Sequence, residues 1–302
     1  MIRQSLDIAC GRWTARIAPW LGGAILSLRR DGEDVLRPTP DAPSDVLATA
    51  CFPLVPYANR IAFGRFRFMD REIVLPPNFG DHPHSLHGVG WQSAWDVQAH
   101  DHSSARLIHD HAAGPRWPWR YRASQDIALD AEGLSLTLQL ENLDDTPMPA
   151  GLGFHPYFPA AEGTHLRFDA GATWQSDATQ LPTHVDTGGL LDAWRIGAPA
   201  KQPVLIDHCH VGWRGEAIVT TAGRTTRITA DDAPFLHVHS PPGLAFVGVE
   251  PVTQMPDAVN RAEAPSFTGL RVLAPGDGMK LAMRIDSVSD CGGASAPTHD
   301  GI

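Results

Sequence analysis

The sequence predicts an all-β protein, a large antiparallel β-sandwich, and three observations carry that reading. Apolar residues alternate with polar or small ones at period two, as in Leu134-Ser135-Leu136-Thr137-Leu138-Gln139-Leu140 and Leu281-Ala282-Met283-Arg284-Ile285. Such alternation turns one face of a strand to a core and the other to solvent. Turn residues join short strand candidates: Ile25 to Leu28 passes through Asp31-Gly32 into Val35-Leu36, and Arg65 to Phe68 reverses at Met69-Asp70-Arg71 into Glu72 to Leu75. No stretch longer than about ten residues keeps apolar positions at spacings of three, four and seven, as a helix would. The 28 Gly and 26 Pro residues punctuate short strands, without the strand-helix-strand rhythm of a parallel sheet and without a visible repeat.

The chain has 302 residues. At roughly 150 residues per domain two domains would fit, yet large β domains reach this size. One domain over residues 1–288 is expected, followed by a Gly/Ala/Ser/Pro-rich tail from Ser289 to Ile302 that reads as disordered. A chain this long buries about three quarters of its unfolded surface, so it needs no staples and is not disordered as a whole. With 34 acidic against 24 basic residues the net charge is −10, which argues against nucleic acid or an anionic membrane as a partner. Cys10, Cys51, Cys209 and Cys291 form no CxxC pair, so a zinc ribbon or thioredoxin-like motif is not expected. No glycosylation sequon occurs, and Met1 to Asp7 lacks the basic-then-apolar pattern of a signal peptide. The longest uncharged run, Ala233 to Val249, is broken by Pro241, Pro242 and Gly243, which speaks against a membrane helix. A cytoplasmic protein with reduced thiols is the expectation. GxGxxG, Walker A, GxSxG and HExxH motifs are all absent.

Histidine is the unusual residue: 15 in all, seven of them between His82 and His111. His82, His84 and His87 fall within six residues, and His208/His210 and His237/His239 repeat at spacing two. Neutral imidazole ligates zinc, iron and copper, so a metal is one reading. Against it, no acid follows within four residues of His84 or His239. His100, His102, His109 and His111 read as solvated loop residues. Four further segments place polar groups among apolar ones. Gly151-Leu152-Gly153-Phe154-His155-Pro156-Tyr157-Phe158 sets one His among aromatics, where a core role competes with a groove that the glycines leave open. In Phe246-Val247-Gly248-Val249-Glu250-Pro251, followed by Asp257-Ala258-Val259-Asn260, Glu250 belongs to an apolar strand. A buried carboxylate there needs either an arginine partner or a raised pKa that suits a general base. Asn59-Arg60-Ile61 and Ile206-Asp207-His208 each carry a charge in apolar context, which alone suggests a structural pair.

Together, taken in chain order from Asn59-Arg60-Ile61 to Asp257-Ala258-Val259-Asn260 and so covering most of the chain, the five segments resemble the aldose 1-epimerases, or mutarotases, of the galactose mutarotase type. The resemblance implies a single large antiparallel sandwich and interconversion of sugar α and β anomers with no metal and no cofactor. It implies Glu250 as the base that takes the anomeric hydroxyl proton and His155 as the acid that protonates the ring oxygen. His87 would hydrogen-bond near that oxygen, Arg60 and the adjoining Asn59 would bind the sugar, and Asp207 would hold its hydroxyls. Carboxylate and imidazolium in one cleft are expected to stabilise each other's charged forms. Among nine Trp residues, Trp91 is the one expected to stack on the sugar face. The partner is a small-molecule sugar. The alternatives are a non-catalytic carbohydrate-binding protein on the same fold, or an epimerase of a phosphorylated or otherwise modified sugar. The Leu86-His87-Gly88-Val89-Gly90-Trp91 and Glu250-Pro251 pieces look like a shorter bacterial-type branch, and Arg65, Arg67 and Arg71 read more simply as hairpin surface charges than as a phosphate site.

Overall fold

The alternating segments pair with each other. In a computed structural model, which describes residues 4–221, 223–261 and 263–288, strand Gly133–Asn142 lies antiparallel to Gly278–Val288, with Leu134 opposite Ile285, Leu136 opposite Met283 and Leu138 opposite Leu281. All six side chains are buried. Each such burial contributes about 1.5–3 kcal/mol, so this pairing anchors the fold. It forms the middle of a nine-stranded sheet that runs from Asp96–His100 at one edge to Ala198–Pro199 at the other. An eight-stranded sheet faces it, with the central order Ile206–Val211, Phe235–Ser240, Phe246–Val252 and Gly153–Phe154. Leu136 and Leu281 of the first sheet share one apolar cluster with Leu236, Val238, Val247 and Val249 of the second. That shared core makes the architecture the expected antiparallel sandwich. A four-stranded sheet, Leu6–Cys10 to Glu33–Asp34, adds Trp13 and Ile17 to the same cluster.

Both expected hairpins form. Ala24–Arg30 pairs with Glu33–Asp34 through Asp31 and Gly32, both at positive φ (55° and 83°), the conformation a tight two-residue turn requires. Arg65–Phe68 pairs with Arg71–Val74 with Phe68 opposite Arg71. Among the described residues the α-helices are the short Leu190–Ile196 and Pro265–Thr268, and no helix is long and apolar enough to cross a membrane. The tail expected from Ser289 to Ile302 lies outside the described residues.

One expectation is corrected. His102 is exposed outside any strand, but His100 ends the exposed strand Asp96–His100, and His109 and His111 belong to strand Ser104–His111 rather than to a loop. The His109 ring packs between Trp95 (5.5 Å) and Tyr121 (5.7 Å). The His111 ring stacks on Tyr121 at 4.8 Å, and its Nε2–H donates to the Trp117 carbonyl. Burial lowers His109 to about 4, so it is neutral and behaves as an aromatic spacer in line with Ala105 and Leu107.

The segments that carry the functional candidates are locked by close backbone approach. Gly88 has φ +75°, and a Cβ there would lie 2.4 Å from the Val55 carbonyl oxygen and 2.6 Å from Pro56 Cδ. By contrast Gly32, also at positive φ, faces open space. In urea unfolding, Gly32→Ala is expected to cost about 1–2 kcal/mol for its backbone alone. Gly88→Ala is expected to cost at least about 1–3 kcal/mol more from overpacking; equal losses would mean that the Gly88 loop is not held by this contact.

Candidate active site

Strand register gathers the site. Asp207 lies opposite His239 and Cys209 opposite His237 across one ladder, and His237 lies opposite Glu250 across the next. Because alternate residues share a face, Leu236, Val238, Val247 and Val249 enter the core while Asp207, His237, His239 and Glu250 emerge together on the other side. Strand Tyr157–Pro159 pairs with the free stretch of Phe246–Val252, with Tyr157 opposite Gly248. This brings His155 over Gly248, where a Cβ would sit 3.3 Å from the imidazole and 3.2 Å from Glu250 Oε1. The absence of a side chain at Gly248 lets His155 and Glu250 meet.

They meet at 3.1 Å, His155 Nε2 to Glu250 Oε1, with the two residues 5% and 1% exposed. The His155 ring is clamped by Phe52 (4.8 Å, stacked) and Tyr157 (4.3 Å). Glu250 Oε2 is buried and finds no hydrogen-bond partner among the described residues. Burial pushes the Glu250 carboxyl well above its ordinary range, and the nearby Asp207 charge adds to this. Burial likewise pushes His155 well below its ordinary range, helped by the surrounding histidines and Arg37. The expected coexistence of carboxylate and imidazolium therefore runs against the burial of both groups. Desolvation favours the neutral partners, one proton between them.

The opposite wall is ionic. Arg60 Nη2 donates to Asp207 Oδ2 at 2.9 Å, and Asp207 Oδ1 accepts from His237 Nε2. Burial alone would raise the Asp207 pKa, but Arg60 and the His237 hydrogen bond outweigh it and keep Asp207 ionised. Thus the charges of two sequence segments, each suspected of a structural pair, pair with each other. Asn59, at φ 60°, accepts from Arg60 Nη1 through Oδ1 at 3.0 Å. Gln180 Oε1 accepts from Arg60 Nη2 at 3.3 Å and from His82 Nε2 at 3.0 Å. Asp257, singled out with Glu250, works from behind: its Oδ1 accepts from Ala62 N–H and its own N–H donates to the Arg60 carbonyl, which fixes the Arg60 strand.

His87 Nδ1 accepts the Asn59 N–H at 3.1 Å, so in the neutral ring, which burial enforces, the proton sits on Nε2. The ring lines a pocket of about 220 Å³ with Arg60, Asp207, His155 and Glu250. Trp91 is a correction. Its indole is 1% exposed, and its Nε1–H donates to the Leu86 and Gly88 carbonyls. It meets His87 edge-on at 5.6 Å from behind. The aromatic walls of the pocket are Tyr157, Phe246 and Phe79. Sequence reading also missed Arg37, whose guanidinium lies 3.8 Å from the Tyr157 ring centre and 4.5 Å from that of Phe246. His237 and His239 carried a signal in their spacing of two, but it pointed to a metal. Among the described residues no group of three or more His, Cys, Asp or Glu side chains is arranged to hold a metal ion. Both ring nitrogens of His82 are engaged elsewhere, and His84 Nδ1 accepts the Phe63 N–H, while His84 Nε2 is buried with no partner among the described residues.

Comparison with known proteins agrees with this geometry. A family profile described as aldose 1-epimerase matches residues 10–286. The uncharacterised protein YphB of Escherichia coli (strain K12) is 32% identical over 287 residues, 88% of this chain and 93% of YphB. A crystal structure of a candidate aldose 1-epimerase from Escherichia coli K12 superposes with TM-score 0.87 at 27% identity, over 94% of this chain and 99% of that one. A galactose mutarotase-like protein from Clostridium acetobutylicum has the same fold, with TM-score 0.83 at 19% identity over 93% and 94% of the two chains.

Two outcomes follow from the electrostatics. Asp207→Asn leaves Arg60 without its buried counter-charge and is expected to cost about 3–5 kcal/mol in chemical denaturation; a loss below ~1 kcal/mol would show the pair to be solvated. Glu250 keeps its proton in the fold above pH 4.5, where the unfolded chain releases it, so stability falls as pH rises from there towards the native pKa. Glu250→Gln removes that loss. Its Tm is therefore expected to exceed that of the parent more at pH 8 than at pH 5, at about 2–4 °C per kcal/mol; a pH-independent difference would contradict the raised pKa.

Proposed function

The chain belongs to the aldose 1-epimerase family, and from that premise we propose that it interconverts the α and β anomers of a free aldose by acid-base opening and closure of the sugar ring. The observation that carries this reading is the buried His155–Glu250 contact at the pocket floor, with one carboxyl oxygen left without a partner. On this reading the sugar O1–H approaches the Glu250 carboxyl from the pocket that Glu250 lines. In the working form the shared proton resides on His155. Glu250 takes the proton of the anomeric hydroxyl while His155 gives its own to the ring oxygen, the C1–O5 bond breaks, and O1 becomes the aldehyde oxygen. Rotation about C1–C2 and the reverse transfers close the ring on the other face.

Ring opening converts an ion pair into a neutral pair, the direction that burial of both groups favours. The enzyme thus needs no proton from solvent within a cycle. The Nε2–H of His87 and the guanidinium of Arg60 face the pocket as donors to sugar oxygens. Asp207 holds Arg60 and His237 in place, with its remaining lone pairs available to hydroxyls. A merely binding module would gain nothing from a buried carboxyl oxygen without a partner, since such a group costs about 1–3 kcal/mol. The phosphosugar alternative gains no support from Arg65, Arg67 and Arg71. All three are exposed on a hairpin, where Arg65 approaches Glu72 at 3.5 Å and Arg71 lies over Trp119. The free thiols of Cys10, Cys51 and Cys209 support action in a reducing compartment such as the cytoplasm.

NMR exchange spectroscopy on glucose, galactose and other aldoses tests the proposal. Acceleration over buffer is expected for at least one sugar, reduced about 10²–10⁴-fold by Glu250→Gln and by His155→Gln with little loss of sugar binding. Turnover within tenfold of the parent in either variant would overturn the assignment of roles.

A further inference from the structure

We propose, on the aldose 1-epimerase reading, that Gln180 is a positioning residue: from a turn behind the pocket, its amide holds Arg60 and the Phe79 wall in one fixed geometry for the sugar. Arg60 and Phe79 line the pocket and Gln180 does not, so it acts through them.

The turn is built to aim one side chain. Strands Ala172–Ser176 and Pro182–Asp186 form an edge hairpin whose register shifts between Gln175 and Ser176. Such a bulge bends the strand and re-aims the residues beside it. Asp177 then organises residues 177–181. Its Oδ1 accepts the N–H groups of Thr179 (2.7 Å) and Leu181 (3.1 Å), and its carbonyl accepts the Gln180 N–H at 3.0 Å. The Ser176 hydroxyl donates to the Asp207 carbonyl at 2.8 Å, and the Arg261 guanidinium donates to the Pro182 carbonyl, so both ends of the turn are tied down. Gln180 itself has φ 61°, a left-handed conformation that glycine adopts freely and that asparagine or aspartate adopts more readily than glutamine. What glutamine adds at this position is the reach of its amide.

That amide joins two parts of the pocket wall. Its Nε2 donates to the Ala178 carbonyl at 3.0 Å, which leaves Oε1 to accept from Arg60 Nη2 at 3.3 Å and from His82 Nε2 at 3.0 Å. Arg60 Nη2 thus places one hydrogen on Asp207 and the other on Gln180, while Nη1 gives one to Asn59 and keeps its second for a sugar oxygen. The His82 ring in turn lies 5.6 Å from the Phe79 ring. Removing Oε1 frees the guanidinium to swing about Asp207 and uncouples it from the Phe79 segment. Neither Arg60 nor Phe79 moves a proton in ring opening, so the effect belongs to sugar binding and not to turnover.

Anomer exchange measured by NMR over a range of glucose and galactose concentrations tests this. Gln180→Gly removes the amide and suits the left-handed backbone. It is expected to raise KM by about fivefold or more with kcat within about twofold, and with Tm no lower than the parent's. Gln180→Glu, whose carboxylate accepts from the same two donors, is expected to hold KM within about twofold of the parent's. His82→Phe is expected to raise KM alone but to add nothing in the Gln180→Gly background. An unchanged KM in Gln180→Gly, a loss confined to kcat, a loss that Gln180→Glu does not restore, or additive losses in the double variant would overturn the role. If the parent accelerates no aldose, the epimerase reading itself fails. Calorimetry with the same two sugars then decides the role of Gln180: binding weakened in Gln180→Gly and restored in Gln180→Glu upholds it, and equal binding or none overturns it.

Discussion

Glu250 and His155 lie 3.1 Å apart in a place where neither can keep a charge cheaply, and the rest of the site is arranged around that constraint. Two isolated buried ions would each carry a desolvation penalty of several kcal/mol. A single proton held between carboxyl and imidazole avoids both penalties at once. It also leaves the pair ready to pass a proton in at one sugar oxygen and out at another. Burial favours the neutral pair, and ring opening returns the pair to it.

Keeping this pair neutral while a full carboxylate operates nearby requires separation by fold. Asp207 and Glu250 share a sheet face but stand on strands separated by Phe235–Ser240, whose His237 lies beside Asp207 in space and opposite Glu250 in register. Arg60 arrives from outside the sheet, set by the left-handed Asn59 and braced by Asp257, and holds Asp207 ionised, while the Asp207 charge helps to keep Glu250 protonated. Two carboxyl groups on one surface thus acquire opposite protonation states from their neighbours. That division is what separates acid-base work from hydroxyl binding. The core on the opposite face, Val247 and Val249 against Leu236 and Val238, holds the register that makes it possible.

Much of this was legible in the chain. Leu134 to Leu140 and Leu281 to Ile285 announced two strands by alternation, and they form one ladder. Glu250, His155, His87, Arg60, Asn59 and Asp207 were found because each sits in a short segment whose neighbours are themselves distinctive, and all six converge on one pocket. What was illegible depends on pairing between distant strands. That His237 should meet Asp207 follows from a register across Ile206–Val211 and Phe235–Ser240, which no local spacing encodes. Arg37 reaches the pocket only because its chain turns beneath Tyr157 and Phe246. Trp91 misled for a physical reason: an indole next to a functional histidine can face a ligand or support the histidine from behind, and the sequence is the same for both. His109 misled because histidine suits solvent and core alike, and its place between Trp95 and Tyr121 follows from packing that local sequence does not encode.

The protonation state of Glu250 in the empty protein tests this account most directly. Infrared difference spectroscopy between the parent protein and Glu250→Gln at pH 7 isolates that single carboxyl group. The account predicts the carbonyl band of a protonated carboxylic acid, lost in the variant and replaced by carboxylate bands only at higher pH. A carboxylate signature for Glu250 at pH 7 would contradict it, because the pair would then rest as ions and ring opening would run against the preference that burial sets.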